Sequence, residues 1–451
     1  NYKKAIELKP DYIEAYNNLA NLLKDRGDIL TSLNYYKKVI ELDQNYAPTW
    51  INIFQPLQII KSQKLSNDNN SFFFNTNIGS EYTQVSKSIL KYRLNKGDLS
   101  SKSSLKEVLN IISTTENTFI KNPNFFSSEL SKPTLPKKIT ALFHFGRSGT
   151  GLLHSLIDAH PEISTLPSVY FSEFFDYFTW KKIIAGGWED MANRFTTIYD
   201  VLFDASSSTP IPDGYNKFIS YMGKKEGLTT VGKDKNEILS VDKKKFIKEL
   251  KQLMSFYDRL DAITFFKLIH SSYEITLQNP YEKKHIFYHI HNPEDYAKLN
   301  FLSLTPSANL LMMVREPLQN CESWIKKSFY ENNYKKVASR IFTMLFDIDN
   351  SIFQDKNSIG VRLEDLKENP KKTIQALCGW LNIMENDSLY EMTAQGKKWW
   401  GDPTSKDYEK DGSSPFGKTS INRKIGSVFS NNDQFILNTL FYPFRVHFNY
   451  A

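Results

Sequence analysis

Residues 146–151 read Gly-Arg-Ser-Gly-Thr-Gly and lie between two apolar runs of different character. The run before, Ile139-Thr140-Ala141-Leu142-Phe143, is β-type. The run after, Leu152-Leu153-His154-Ser155-Leu156-Ile157, reads as a helix. A strand that turns through glycines directly into a helix confines this part of the chain to an α/β design. It also leaves the first-turn amides of that helix, and the positive end of its dipole, facing one point, where an anion such as phosphate is favoured. Gly146, Arg147, Ser148, Gly149, Thr150 and Gly151 are therefore candidate anion ligands. A tight turn in an unrelated α/β enzyme is the alternative.

Around this loop the pattern is that of a parallel sheet covered by helices, starting at about residue 138. Apolar runs at Ile263–Phe266, Ile286–Tyr288, Leu310–Val314 and Ile359–Arg362 are read as short buried strands alternating with long helices. The beginning of the chain differs. Seven residue pairs, among them Tyr2 and Tyr36, Ile6 and Ile40, Tyr12 and Tyr46, and Tyr16 and Trp50, are each separated by 34 positions. That is the tetratricopeptide period, and Gly27-Asp28 falls at the turn. Leu19, Leu22 and Leu23 are expected on one helix face and Leu33, Tyr36, Val39 and Ile40 on its partner, so residues 1–62 form an all-α helical-repeat region whose units cover one another. The chain opens within a repeat, and further repeats are expected upstream. Residues 64–83 are polar and read as a loop, 85–120 have helical periodicity, and Pro123, Pro133 and Pro136 interrupt regular structure. Residues 63–137 are thus a linker and helical connector, and 138–451 the α/β domain.

The totals agree with several cores. The 451 residues exceed one ordinary domain, and 40% hydrophobic and 14% aromatic residues exclude global disorder. The net charge of +7 favours anionic partners without choosing among them. Cys321 and Cys378 are the only cysteines and have no CxxC spacing, which argues against a disulfide framework or a zinc site and for a reducing, cytoplasmic setting. No run reaches the roughly 18 apolar residues that a membrane span needs. The chain starts at Asn1 without a signal-peptide pattern, so targeting signals further upstream stay open.

The spacing Gly146-x4-Gly151 fits a Walker A loop, but Leu152 and Leu153 stand where that loop carries Lys and Ser/Thr. The groups that hold a γ-phosphate and Mg²⁺ in a kinase or ATPase are absent. A second motif follows strand Leu310–Val314: Arg315, then Glu316-Pro317, then Ser323 on a helix. An arginine at a strand's end and a serine on the next helix can converge on one phosphate, as fork and hydroxyl donor.

Together these stretches resemble the sulfotransferase superfamily. Phe145–Gly151 with Asp158-Ala159-His160-Pro161 looks like its 5′-phosphosulfate loop, and Met313–Pro317 with Ser323 looks like its 3′-phosphate motif. Val361-Arg362-Leu363-Glu364-Asp365-Leu366 looks like the stretch that follows them. The flavour is that of protein-tyrosine sulfotransferases and of bacterial repeat-containing members. The resemblance implies the sulfotransferase fold and the donor 3′-phosphoadenosine 5′-phosphosulfate (PAPS). It implies no metal, and a hydroxyl acceptor on a protein tyrosine or a glycan. Arg147 and the amides of 148–151 would clamp the leaving group, and Arg315 and Ser323 would hold the 3′-phosphate. The family's catalytic Glu would fall at Ser168, so Glu173 is the nearest candidate base. His291 stands where the family has a Lys two residues before a proline, here Pro293. Arg423 and Lys424, in the basic segment Gly417–Ser427, are candidates to contact a phosphate. His144 and His160 are read as structural. Tyr170, Phe171, Phe174, Tyr177, Trp180 and Trp188 are candidates to line an acceptor pocket within 168–235. The repeats would recruit a protein partner or the acceptor; nucleic acid is not implied. A small-molecule kinase and a non-catalytic repeat scaffold with a decayed nucleotide domain are the competing readings.

Overall fold

The computed structural model describes residues 1–62, 68–95, 101–115, 119–125, 132–144, 146–167, 171, 174–207, 222–280, 282–290, 295–347, 357–403, 415–417 and 425–451. It divides into two compact units, Asn1–Asn117 with Leu299–Ser303, and Thr118–Lys298 with Leu304–Ala451.

The first unit is helical: α1 (Tyr2–Leu8), α2 (Ile13–Asp25), α3 (Ile29–Leu42), α4 (Ala47–Asn52), α5 (Phe54–Ser62), α6 (Asp68–Asn75), α7 (Glu81–Leu94) and α8 (Ser101–Thr115). Gly27, at φ +84°, makes the turn between α2 and α3, and Asp28 caps α3 by accepting from the Thr31 amide at 3.3 Å. Leu33, Tyr36, Val39 and Ile40 are buried as expected, and the Tyr36 hydroxyl donates to Asn21 Oδ1 at 2.7 Å. Leu22 is not: it is 38% exposed, and Ala15, Leu19 and Ala20 form the buried side of α2. The stretch read as a loop over 64–83 contains α6, with Phe73 packed edge-on against Trp50. Its Asn and Ser residues hid the helix because their composition favours turns.

The second unit opens with β1 (Ile120–Lys121) and β2 (Lys138–His144), followed by α9 (Thr150–Ile157) and β3 (Ile163–Ser164). Among the described residues, the α-helices α10 (Tyr177–Ile184), α11 (Met191–Ile198), α12 (Met222–Lys225) and α13 (Lys243–Met254) then precede the next strand. After them come β4 (Arg259–Leu260), α14 (Ala262–Thr276), β5 (His285–His289), α15 (Asp295–Leu304), of which Leu299–Ser303 is counted with the first unit, β6 (Asn309–Val314), α16 (Pro317–Tyr330), α17 (Tyr334–Asp347) and β7 (Ser358–Arg362). The chain closes with α18 (Leu363–Glu368), α19 (Pro370–Leu381), the hairpin β8 (Thr393–Ala394) and β9 (Lys397–Lys398), α20 (Asn431–Leu440) and α21 (Tyr442–His447).

The main sheet has five strands in the order β3-β5-β2-β6-β7, and every neighbouring pair is parallel. The unit is therefore α/β, with a sheet buried beneath helices. Ile263–Phe266, read as a strand, instead begins α14, where Asp261 accepts from the Thr264 amide at 2.8 Å and caps the helix. α14 is buried on nearly every side, so a four-residue window of it shows no helical alternation. The aromatics proposed for an acceptor pocket also belong to the interior. Phe171, Phe174, Trp180 and Trp188 are buried, and Phe171 stacks on Phe266 with ring centroids 5.2 Å apart. The side chains of Tyr170 and Tyr177 lie outside the described residues.

Candidate anion-binding site

β2 lies between β5 and β6, and the crossovers that leave β2 and β6 run towards opposite edges of the sheet. From β2 the chain crosses through α9 to β3, beyond β5; from β6 it crosses through α16 and α17 to β7, on the other side. Such a reversal opens a crevice beyond the carboxyl ends of the strands, where open α/β sheets bind ligands. The 146–151 loop leaves β2 there, and Arg315 leaves β6 there, since His144 is in register with Met313.

The loop conformation depends on its glycines and on three distant residues. Gly146 has φ +60° and Gly149, the residue that caps α9, has φ +90°. A Cβ on Gly146 would stand 2.8 Å from Asn320 Oδ1, and one on Gly149 would stand 2.7 Å from Leu363 Cδ1. Gly151 faces the Trp399 indole at 3.5 Å by the same measure. Asn320, fully buried on α16, accepts from the Arg147 amide at 2.7 Å and so fixes the middle of the loop. Ser148 and Thr150 are buried, whereas Arg147 is exposed. The result is a strand–loop–helix with amides at the α9 N-terminus and the exposed Arg147 in the loop that leads to them, an arrangement suited to an anion.

Arg315 is buried at 3% exposure, and the α16 helix starts directly after it. Glu316 caps that helix by accepting from the Gln319 amide at 2.8 Å, with Pro317 in the first turn. The Glu316 amide in turn donates to Glu364 Oε1 at 3.0 Å, and Arg445 bonds Glu316 Oε1 at 2.7 Å. The Leu363–Glu364 pair thus braces both halves of the site. Leu363 packs against the loop at Gly149, and Glu364 holds the turn after Arg315. Ser323 lies on α16, half-buried and three residues beyond Asn320. Next to it, Glu322 accepts from the Gly426 and Ser427 amides at 3.0 Å each. Burial pushes its pKa up, but bonds from the Ser427 side chain and from the Gly426, Ser427 and Phe429 amides outweigh this and hold it below the usual carboxylate range. The other end of that late segment is tied by the Gly417 amide to the Lys367 carbonyl at 2.8 Å.

Behind the loop, α9 is fixed at its carboxyl end by Asp158. This buried carboxylate accepts from Thr165 Oγ1 at 2.7 Å and from Thr393 Oγ1 and the Gly396 amide at 3.0 Å. The β8–β9 hairpin is thereby laid along α9, which carries Trp399 to the loop. The Trp399 indole N–H donates to the Glu226 carbonyl at 2.8 Å. His154, on the buried side of α9, lies beside His289 with ring centroids 5.5 Å apart. Burial, only partly opposed by Asp158 and a backbone bond at Leu166, pushes the His154 pKa down. His160 bonds the Met384 carbonyl at 2.9 Å, in keeping with a structural role. Burial and Glu322 push the Cys321 thiol up to about 12, so it stays protonated at neutral pH.

Of the residues singled out in the sequence, Gly146–Gly151 and Arg315 meet at one end of the sheet, with Ser323 on the helix that holds the loop. Glu173, His291, Arg423 and Lys424 lie outside the described residues, as do Ser168 and the side chain of His144. Asn320, Leu363 and Trp399 were missed. Asn320 and Leu363 sit inside or next to stretches quoted for other reasons and Trp399 does not, and only a long-range contact shows the part of each. Among the described residues no group of His, Cys, Asp and Glu side chains is placed to hold a metal ion. No helix among them is long and apolar enough to cross a membrane.

Residues 1–34 match the family model for the Tetratricopeptide repeat. No curated protein matches the chain. Among solved structures, a sulfotransferase from Mycobacterium avium aligns with it at a TM-score of 0.30 and 10% identity, covering 88% of this chain and 91% of that one. At that level of likeness, only the residues of this chain bear on its function.

Proposed function

We propose that the second unit is a sulfotransferase that moves a sulfuryl group from PAPS to a hydroxyl of a protein or glycan acceptor. The observation that carries this reading is the bond between the Arg147 amide and Asn320. It joins the glycine loop after β2 to the helix that follows Arg315, so two anion-binding elements on adjacent strands form one rigid unit. Leu152 and Leu153 leave the loop without the groups that serve a metal-bound triphosphate. A donor with one phosphate group at each end suits this arrangement better.

In this reading Arg147 and the amides of 148–151 stabilise the charge that grows on the departing 5′-phosphate. Arg315 and Ser323 hold the 3′-phosphate, which separates this donor from other adenine nucleotides. Glu173 or His291 takes the acceptor proton, and Arg423 and Lys424 add charge near the nucleotide. The tetratricopeptide match supports a protein partner, and we assign the first unit the recruitment of acceptor or partner.

Calorimetric titration with 3′-phosphoadenosine 5′-phosphate (PAP) tests this. Wild type is expected to bind, and Arg315→Ala to lose about 10- to 150-fold in affinity, the worth of a hydrogen bond to a charged group. Wild type that ignores PAP but binds ATP with Mg²⁺ refutes the reading in favour of a kinase. A labelled-donor assay on glycans and tyrosine peptides, with Glu173→Gln and His291→Ala, then identifies acceptor and base.

A further inference from the structure

Arg340 reaches from α17 back to α16. Its Nη1 donates to the Trp324 carbonyl and, at 3.3 Å, to Ser328 Oγ. Its guanidinium carbon stands 5.3 Å from the centroid of the Trp324 ring. One turn earlier on the same helix, Asn320 holds the Arg147 amide at 2.7 Å. Residues four apart on a helix share a face and are separated by about 6 Å along the axis. Two arginines from distant parts of the sequence, one on the glycine loop and one on α17, are therefore hung from the same face of α16.

Their charges act on one another. Burial and then the positive charge of Arg147 push Arg340 below the ordinary guanidinium range, opposed by Glu331. Glu331 itself is engaged with Lys327 at 3.7 Å. Like charges held together by a fold repel, and an anion between them converts that repulsion into attraction. Arg340 has donors for one. Of its five N–H groups, those of Nη1 go to Trp324 and Ser328, while Nε and Nη2 make no hydrogen bond among the described residues.

We propose that Arg340 is a further ligand of the anion at the glycine loop, forming with Arg147 a two-guanidinium clamp on the 5′-phosphosulfate end of the donor. This rests on the sulfotransferase reading and deepens it. Arg147 is exposed and positioned through its backbone, so it is free to follow the sulfuryl group. Arg340 is anchored through its own side chain and supplies the fixed half of the clamp. After transfer the pair retains the 5′-phosphate of the product.

The test is calorimetric titration of PAP and of adenosine 3′-phosphate, which lacks the 5′-phosphate, into wild type, Arg340→Met and Arg340→Lys. Arg340→Met keeps an aliphatic stem on Trp324, and thermal unfolding of each variant monitors the fold. Arg340→Met is expected to bind PAP at least 10-fold more weakly and adenosine 3′-phosphate as wild type does. Arg340→Lys, which keeps the charge but not the fork, should fall between them and serves alone if the methionine variant does not fold. Equal PAP affinity in wild type and the folded variants overturns the clamp and leaves the donor reading standing. Equal weakening of both nucleotides also overturns it, because a merely structural arginine would act in that way. Wild type that binds no PAP refutes the donor reading and the clamp with it.

Discussion

Gly149 is where the loop becomes α9, and substituting it should damage the second unit in two separable ways. Its φ of +90° strains any L side chain, costing about 1–2 kcal/mol. A Cβ there would also stand 2.7 Å from Leu363 Cδ1, inside a packed core. Forcing a methyl group into such a core costs about 1–3 kcal/mol. Gly149→Ala should therefore destabilise the unit by about 2–5 kcal/mol. Leu363→Ala alone leaves a cavity and costs about 2–5 kcal/mol. Combined, the two should cost less than their sum by about 1–3 kcal/mol, because the smaller side chain accepts the new methyl group while the backbone strain persists. Urea unfolding of the four proteins, followed by circular dichroism, measures this coupling. Strict additivity would show that Leu363 does not press on Gly149. A Gly149→Ala protein as stable as wild type would show that the loop does not turn through the left-handed region at all.

Two further outcomes are expected. Burial holds His270 at about 3, and burial with the positive charges of Lys138 and His160 holds His285 at about 4. Both values are below the 6.5 of an unfolded histidine, so the unfolded chain takes up these protons first. Stability should be full above pH 6.5 and fall as the pH drops from 6.5 towards 4, by about 1.4 kcal/mol per pH unit for each histidine. Urea midpoints measured from pH 7.5 to 4.5 check this, and a flat profile refutes it. Asp158→Asn should remove about 2–3 kcal/mol, because a charged acceptor of three hydrogen bonds becomes an amide whose NH₂ faces donors. The hairpin should then loosen, which limited trypsin digestion would show as faster cleavage after Lys397 and Lys398. An unchanged digestion pattern would mean that Asp158 does not anchor it.

Much of the sheet was legible from local pattern. The strands β2, β5, β6 and β7 are short apolar runs bounded by turn residues, and the glycines of 146–151 announce their own backbone geometry. Legibility ended where burial exceeded what periodicity can express. Ile263–Phe266 belongs to a helix wrapped on nearly all sides, and Phe171, Phe174 and Trp180 are aromatic core rather than pocket lining. The site divides in the same way. Arg147, Arg315 and Ser323 follow strands at motif spacing, so a sequence shows them. Asn320, Arg340, Leu363 and Trp399 act on the site through contacts across the chain, which no local window contains.

The clamp on Arg147 has a consequence for how the protein is made. Asn320 lies 173 residues after the amide that it holds, and Leu363 and Trp399 come later still. Contacts of such separation form late, since the intervening chain must first be ordered. During synthesis the glycine loop leaves the ribosome long before the residues that shape it, so a nascent chain ending short of Trp399 would carry the whole motif and no formed site. The loop would thus take its final shape only after residues up to Trp399 have been made.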